Sequence, residues 1–220
     1  MACCVVKAQL RDPSPEEKKA LDKVVPVIED ILDHFNSNDW DKAQDYYNND
    51  IAVNPNPDVP LDINCNFERE YKVKMNSDRY NSLIKPLVDK IMDASQKGDY
   101  QTTLSLGKQN ELLSRFTVDV YINRKIAEVT GKRSKKITVN GVPYAYHLDE
   151  DSNTPARYCL LFGNWATARP NEYGLGFHFI HPHKTPFIEN VAFIIQGADD
   201  RVQQLLKTIN WSEVQNALTL

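Results

Sequence analysis

The sequence of 220 residues contains little glycine and no long apolar segment. Its eight glycines include a GLG at residues 174–176, but no Lys-Ser or Lys-Thr pair follows it as in a phosphate-binding loop. The longest apolar runs, such as residues 191–195, have five residues, whereas a bilayer-spanning helix needs about 20. A G-x-S-x-G nucleophile motif is also missing. These absences argue against a nucleotide-binding fold, a membrane-spanning helix and a serine hydrolase of that type.

Cysteine is scarce as well, and no C-x-x-C pair occurs among Cys3, Cys4, Cys65 and Cys159. This spacing fits neither a structural zinc site nor a small disulfide scaffold. Because isolated thiols are typical of reducing compartments, we predict a cytoplasmic protein. The tandem Cys3 and Cys4 leave two alternatives open: lipid modification, or an exported or periplasmic protein whose N-terminal signal has been removed.

The composition is that of an ordinary globular protein, with 41% hydrophobic and 25% charged residues. The charge is uneven: the net charge is −4 overall, but residues 61–136 carry 15 basic and 10 acidic side chains. The densest basic stretch, residues 124–136, has six cations and one anion and can attract phosphate or an acidic partner. It can equally be a solvated helix end with its loop. Since it contains no aromatic residue and no binding motif, nucleic acid is not a predicted partner.

The N-terminal region contains a helical pattern that occurs twice. Ser14 is a predicted N-cap, and apolar residues follow it at intervals of three and four. A shift of 60 residues aligns residues 24–40 with residues 84–100 without a gap, with four identical positions. In each copy an aspartate after the helix, Asp39 or Asp99, is a predicted cap for a second helix. We therefore predict an internal repeat of two related helical hairpins.

The string NDWDKAQDYY, residues 38–47, carries two family resemblances. It resembles the turn and second helix of a tetratricopeptide repeat, in which a Gly-Asp-Tyr turn precedes a small residue and an aromatic pair. It also resembles the opening helices of the NTF2-like fold, because residues 50–53 follow where that family enters its first strand. Both resemblances imply that residues 38–47 are helical, and neither carries a functional residue over to this chain.

The C-terminal region changes to a period of two, which is typical of strands. The dipeptide Asn140-Gly141 predicts a hairpin turn, and residues 157–165, 173–181 and 186–197 predict three further strands. Upstream, residues 67–75 also alternate, while residues 117–122 are compatible with either a helix or a strand. The helical spacing of apolar residues at 198–209 predicts a helix that covers the sheet. The predicted fold is therefore α+β, with a helical region at 1–130 and a mainly antiparallel sheet region at 131–220, packed together as one unit.

Three histidines, His178, His181 and His183, lie within six residues of each other. Imidazole is the commonest metal ligand in proteins, and His181 and His183 point to the same side if the segment is extended. The alternative is a strand followed by a polar turn, in which the histidines are structural. The second hypothesis for function is therefore a metal-binding protein or a metal-dependent enzyme, in which these three side chains and a carboxylate from elsewhere bind a divalent metal.

A loop with residues typical of binding sites joins two of the predicted strands. Trp165, Arg169 and Tyr173 belong to the residue types that are enriched at interaction hot spots. Three tyrosines nearby, Tyr144, Tyr146 and Tyr158, extend the aromatic character of this end of the sheet. The first hypothesis is therefore a non-enzymatic protein that recognises a protein partner or a small apolar ligand through the C-terminal sheet and this aromatic loop, with no resident cofactor.

Overall fold

A computed structural model describes residues 10–53, 58–61, 66–129, 134–149, 156–165, 169–170, 174–182 and 186–218. The helices within these residues are α1 (Pro15–Asp33), α2 (Lys85–Gln96), α3 (Tyr100–Ser114), α4 (Asp199–Thr208) and α5 (Ser212–Leu218), with a π-helical turn at Tyr80–Ile84 before α2. The strands are β1 (Leu10–Arg11), β2 (Trp40–Asn48), β3 (Ile51–Ala52), β4 (Asn66–Val73), β5 (Arg115–Ile122), β6 (Ile126–Ala127), β7 (Ser134–Ile137), β8 (Tyr144–Leu148), β9 (Arg157–Gly163), β10 (Arg169–Pro170), β11 (Leu175–Gly176) and β12 (Asn190–Gly197).

Seven strands form an antiparallel sheet in the order β2-β4-β5-β12-β9-β8-β7. The fold is α+β, and β12 occupies the centre of the sheet between β5 and β9. Strands from both sides of residue 130 therefore belong to one sheet. Two smaller sheets pair β1 with β3 and join β10, β11 and β6.

The predicted pair of related helical hairpins is wrong. The first copy consists of helix α1 and strand β2, and only the second copy forms a hairpin, α2–α3. Residues 40–48 form a strand because they pair along their length with β4. Asp99 caps α3 by accepting a hydrogen bond from the backbone N–H of Thr102 at 3.1 Å, whereas Asp39 accepts one from the backbone N–H of Arg79 at 3.2 Å. The helices implied by the tetratricopeptide and NTF2-like resemblances fail for the same reason.

Predictions that depend on residues close together in the sequence are confirmed. Ser14 caps α1 in a capping box with Glu17. The turn at Asn140-Gly141 joins β7 to β8, which pair antiparallel. The ambiguous residues 117–122 form part of strand β5. The predicted strand at 173–181 is wrong over most of its length, because only Leu175–Gly176 has strand pairing within the described part of that segment.

One face of the sheet packs against α1, α4 and α5 and forms the larger core. Alternation along β12 places Val191, Phe193 and Ile195 on this face, each with 0% exposure. Trp211, also at 0% exposure, lies between α4 and α5 and contacts the rings of Phe35, Phe162 and Phe193. This core fixes the position of α4 over the sheet.

The opposite face is covered by loops and by the small β10-β11-β6 sheet. Its core contains Cys159 and Leu161 from β9 together with Trp165 and Phe177 from the covering segments. The two faces of β9 are thus both buried, which agrees with the nearly continuous apolar sequence of this strand.

The α2–α3 hairpin lies between β4 and β5 in the chain and exposes apolar side chains. None of the residues of α3 is buried. The exposed apolar residues of this region are Leu83, Met92, Tyr100, Leu104 and Leu112. None of the helices within the described residues is both long enough and apolar enough to cross a bilayer.

Glu17 connects the segment before α1 to the first turn of that helix. Its two carboxylate oxygens accept hydrogen bonds from the Arg11 guanidinium at 2.6 and 2.7 Å, and the backbone N–H of Ser14 donates to the same carboxylate at 2.8 Å. The hydrogen bonds from Arg11 lower the pKa of Glu17 to about 2. Because the folded state lowers this pKa, the stabilisation is complete above the ordinary value near pH 4.3 and is lost as the pH falls towards 2.

We expect Glu17→Gln to lower the free energy of unfolding at neutral pH by about 1 to 3 kcal/mol, since charged hydrogen bonds are lost. Urea denaturation at pH 7 and near pH 2 measures the effect, and the difference from wild type should shrink at the acidic pH. The control is Glu16→Gln in the same turn, where the side chain is exposed and the expected change is within about 0.5 kcal/mol. Equal losses for the two variants at pH 7 would contradict this account.

Candidate functional site

A cleft of about 540 Å³ opens between helix α4 and strands β7, β8 and β9, and we call it the α4–β7 cleft. Strand β7 and the turn after it contribute Lys135 and residues 137–140, β8 and β9 contribute His147 and Tyr158, and α4 contributes Asp199, Gln203, Leu206 and Lys207. These residues come together because the sheet order places β7 at one edge, while the larger core holds α4 over the same face.

The floor of the α4–β7 cleft is apolar. Val139, Tyr158 and Leu206 are 8%, 5% and 7% exposed, and Ile137 packs beside them against the larger core. The strand period of two explains the position of Ile137, which shares a face with Lys135 two residues earlier. On α4 the helical spacing of Val202, Leu205 and Leu206 turns the apolar side of the helix towards the sheet. Because this floor belongs to the core, its side chains are held by close packing against their neighbours.

A hydrogen-bonded group of three side chains forms one wall. The Tyr158 hydroxyl donates to Asp199 Oδ1 at 2.6 Å, and Gln203 Nε2 donates to Asp199 Oδ2 at 2.8 Å. Burial, together with the hydrogen bond to Asp199, raises the pKa of Tyr158 to about 12. The phenol is therefore protonated at neutral pH and acts as a donor. Both oxygens of Asp199 are occupied, so this carboxylate organises the wall.

A second group of polar side chains lies beside this wall, on the same face of the sheet. Lys135, His147 and Tyr158 lie opposite one another on neighbouring strands, and the rings of His147 and Tyr158 are 4.7 Å apart. Lys135 Nζ lies 2.6 Å from Asp149 Oδ2, and His147 Nδ1 lies 3.3 Å from Asp149 Oδ1. The hydrogen bond from Lys135 lowers the pKa of Asp149, so this carboxylate is ionised and holds both neighbours.

Lys207, a cation at the rim of the cleft, is not paired with a carboxylate in the described part of the chain. It lies in the last turn of α4, where a positive charge is favourable. Its ammonium makes no hydrogen bond or ion pair with any residue in the described ranges, whereas Lys135 is paired with Asp149. An anionic group bound in the cleft can therefore reach a positive charge without displacing an existing carboxylate.

The predicted aromatic loop is arranged differently from the expectation. Trp165 is 2% exposed, its Nε1 donates to the carbonyl of Phe162 at 3.1 Å, and its ring packs edge-on against Phe177. It is thus part of the second core and does not line an open surface. The side chain of Arg169 and the whole of Tyr173 lie outside the described residues, so their role in binding stays a prediction.

The three tyrosines named with that loop do not form one surface. Tyr144 and Tyr146 lie opposite Leu161 and Cys159 on the face of the second core, whereas Tyr158 lies opposite His147 on the face of α4. Their order along β8 and β9 explains the separation, because odd and even positions of a strand point to opposite faces. Only Tyr158 belongs to the α4–β7 cleft.

The histidine segment has a structural arrangement in its described part. His178 is exposed, while the His181 ring stacks on Phe187 at 4.2 Å and its Nδ1 lies 3.2 Å from Glu189 Oε1. Glu189 also accepts hydrogen bonds from the backbone N–H groups of Ile180 and His181. Within the described ranges, no three histidine, cysteine or acidic side chains come together as metal ligands. His183 lies outside those ranges, so the three-histidine metal site stays a prediction.

Of the four cysteines, Cys159 alone lies within the described residues, and Cys3, Cys4 and Cys65 lie outside them. Burial raises the pKa of the Cys159 thiol to about 11. The thiol is therefore protonated at neutral pH and is not an activated nucleophile.

The sequence contained a partial signal for the α4–β7 cleft, because Lys135 belongs to the basic stretch at residues 124–136. Residues 130–133 of that stretch lie outside the described ranges. Comparison with protein-family models, curated proteins and solved structures gives no match for this chain. Its function is therefore inferred from its own residues.

Proposed function

We propose that this chain is a non-enzymatic binding protein and that the α4–β7 cleft is its ligand site. The ligand combines an apolar portion with an anionic group. The cleft volume of about 540 Å³ lies within the range of about 300 to 1,000 Å³ that is usual for ligand sites. Such sites combine an apolar lining with a small number of oriented polar groups, as this cleft does.

The observation that carries the proposal is an apolar floor next to a cation without a counterion in the described part of the chain. An apolar group on Ile137, Val139 and Leu206 is removed from water, which favours binding in proportion to the area covered. Lys207, at the rim, supplies the charge that orients the anionic end. Asp199, which Tyr158 holds in the wall, lies in the first turn of α4 and Lys207 in the last, so the anionic end of the ligand is oriented towards Lys207 and away from that carboxylate.

The proposal places recognition on the C-terminal sheet, as the sequence suggested, and moves it from the aromatic loop to the opposite face. Support for the move comes from the burial of Trp165 and from the open space beside α4. A binding role is supported by the state of two groups in the cleft: the Tyr158 phenol has a raised pKa, and each oxygen of Asp199 accepts a hydrogen bond.

The proposal is tested with 1-anilinonaphthalene-8-sulfonate, a dye with an apolar ring system and one sulfonate. We expect its emission to report saturable binding to the native protein. Gln203→Trp places a large side chain over the cleft and should weaken binding by more than about tenfold. Lys207→Gln should weaken it about fivefold, as expected for loss of one exposed charge interaction.

The matched control is Gln109→Trp, which adds the same side chain to an exposed position on α3. It should bind the dye as the wild type does, and thermal melting of all three variants checks that they are folded. Unchanged dye affinity in Gln203→Trp would overturn the assignment of the ligand site to this cleft.

A further inference from the structure

Strand β7 is an edge strand of the seven-stranded sheet. It pairs with β8, and no strand in the described part of the chain pairs with its other side. In an antiparallel strand, alternate residues direct their backbone N–H and C=O groups to opposite sides. Half of the backbone groups of Ser134–Ile137 therefore point away from β8. An exposed edge of this kind is a template for a further strand.

This free edge borders the α4–β7 cleft. Lys135 and Ile137 of β7 line the cleft, while Lys136 lies on the other face of the sheet. A strand added beside β7 would direct every second side chain towards the cleft, because side chains alternate between faces. One apolar side chain would then lie near Leu206 on α4. Main-chain pairing at an edge, combined with a side-chain pocket beside it, is a known mode of peptide recognition.

The charges around β7 determine which kind of strand can add to this edge. Lys135 is on the cleft face, Lys136 is on the opposite face with its Nζ 5.7 Å from the centre of the Tyr144 ring, and Lys207 lies across the cleft. A second copy of β7 would bring lysines opposite lysines, and like charges at paired positions destabilise a sheet. Lysines on edge strands also prevent pairing between identical chains. A strand with acidic side chains instead meets Lys136 on one face and Lys207 on the other, and neither of these lysines pairs with a carboxylate in the described part of the chain.

We propose that an acidic, extended segment of a partner protein adds to β7 as an eighth strand and places an apolar side chain in the α4–β7 cleft. This inference rests on the proposed function, because it takes the same cleft as the ligand site and names the chemistry of its ligand. The short length of β7 limits the added pairing to a few hydrogen bonds, so the apolar side chain and the charges supply the remaining affinity.

The experiment uses a blocked, fluorescein-labelled peptide of glutamates with a single central valine, so that glutamates reach both faces of the sheet while the valine enters the cleft. Binding is measured by fluorescence anisotropy. Two companion peptides are the same sequence with lysine in place of glutamate, and the glutamate peptide N-methylated at every backbone amide. We expect the glutamate peptide to bind more than about tenfold more tightly than either companion. Its affinity should fall as salt is added, since the charges are exposed.

Two protein variants complete the test. Lys136→Glu combined with Lys207→Glu reverses charge on both sides of the edge without altering the Lys135–Asp149 pair, and it should weaken the glutamate peptide and strengthen the lysine peptide. The matched control reverses two exposed lysines of α2, Lys85→Glu with Lys90→Glu, and should leave the glutamate peptide unaffected. Gln203→Trp should weaken the glutamate peptide, because it fills the space for the valine.

The outcomes separate this inference from the proposed function. Equal affinity for the N-methylated peptide would show that charge alone attracts the peptide and would overturn strand addition. Dye binding that depends on Gln203, without any peptide binding, would overturn the inference and leave the ligand site in place. Failure of both dye and peptide would overturn both. A dimer in sedimentation analysis that is lost in Gln203→Trp would assign the edge to a second copy and would also overturn the inference.

Discussion

Replacement of Gly163 by alanine is expected to be among the most destabilising single changes in this protein. Gly163 ends β9 and has a φ of +98°, in the region that L-residues rarely adopt. A Cβ at this position would lie 2.2 Å from the carbonyl oxygen of Glu189 and 3.0 Å from Cβ of Asn190. The strained φ and the crowding each cost about 1 to 3 kcal/mol. We therefore expect a loss of about 2 to 6 kcal/mol in the free energy of unfolding, from a total that is typically about 5 to 15.

Urea denaturation of Gly163→Ala against Gly107→Ala measures this effect. Gly107 lies within α3, and a Cβ added there would meet no atom within 4 Å. Because alanine is a better helix former, Gly107→Ala should raise the free energy of unfolding by about 0.5 to 1 kcal/mol. The two substitutions thus have opposite expected signs. A Gly163→Ala protein as stable as the wild type would show that the end of β9 can relax away from β12.

Truncation of Trp211 to alanine is expected to have an effect of similar size for a different reason. The side chain has 0% exposure, and its ring lies 5.4 Å from that of Phe193, with Phe35 and Phe162 at 6.2 and 6.3 Å. Removal of a buried aromatic leaves a cavity and costs about 3 to 5 kcal/mol. For a chain of this length, that corresponds to a decrease in Tm of roughly 10 °C.

Two further variants test the reason for this loss. Trp211→Phe keeps an aromatic ring and removes a buried indole N–H that has no hydrogen-bond partner in the described structure, so it should lose less than half as much stability. Tyr100→Ala removes an aromatic side chain that is 79% exposed and should change the free energy of unfolding by less than about 0.5 kcal/mol. Similar losses for Trp211→Phe and Trp211→Ala would show that the indole itself, and not cavity formation, determines the effect.

Features controlled by adjacent residues were predictable from the sequence. The capping box at Ser14 and the hairpin at Asn140-Gly141 each depend on residues a few positions apart, and the structure confirms both. The apolar stripe of α4 and the alternation of β4 also indicated the correct element. In these segments local preference and tertiary packing agree.

Strand β2 shows why elements that depend on pairing with distant residues could not be predicted from the sequence. Its residues are mostly polar and exposed. It follows a helix, as Tyr100 does in the aligned segment at residues 84–100. Its state is decided by pairing with β4, which lies about 25 residues further along the chain. In the second segment, Gly98 adopts a φ of +71° and lets the chain turn into a second helix, whereas Asn38 stands at the corresponding place in the first.

The α4–β7 cleft was beyond sequence analysis for a similar reason. Lys135 and Lys207 are 72 positions apart, and only the order of strands in the sheet brings β7 beneath α4. The aromatic loop and the histidine cluster were predicted as sites because their members are neighbours in the sequence. Trp165 shows the weakness of that criterion, since residue type alone does not distinguish a core aromatic from an exposed one.

The central position of β12 in the sheet affects how the protein folds during its synthesis on the ribosome. Domains generally fold from the N-terminus during synthesis, but here β5 and β9 both acquire their shared neighbour only when residues 190–197 have been made. Until then the nascent chain holds two groups of three strands, β2-β4-β5 and β9-β8-β7, each with an apolar strand at an open edge. Such edges favour aggregation. Cellular production of this protein should therefore depend on how well the incomplete chain is protected until residues 190–197 have been translated.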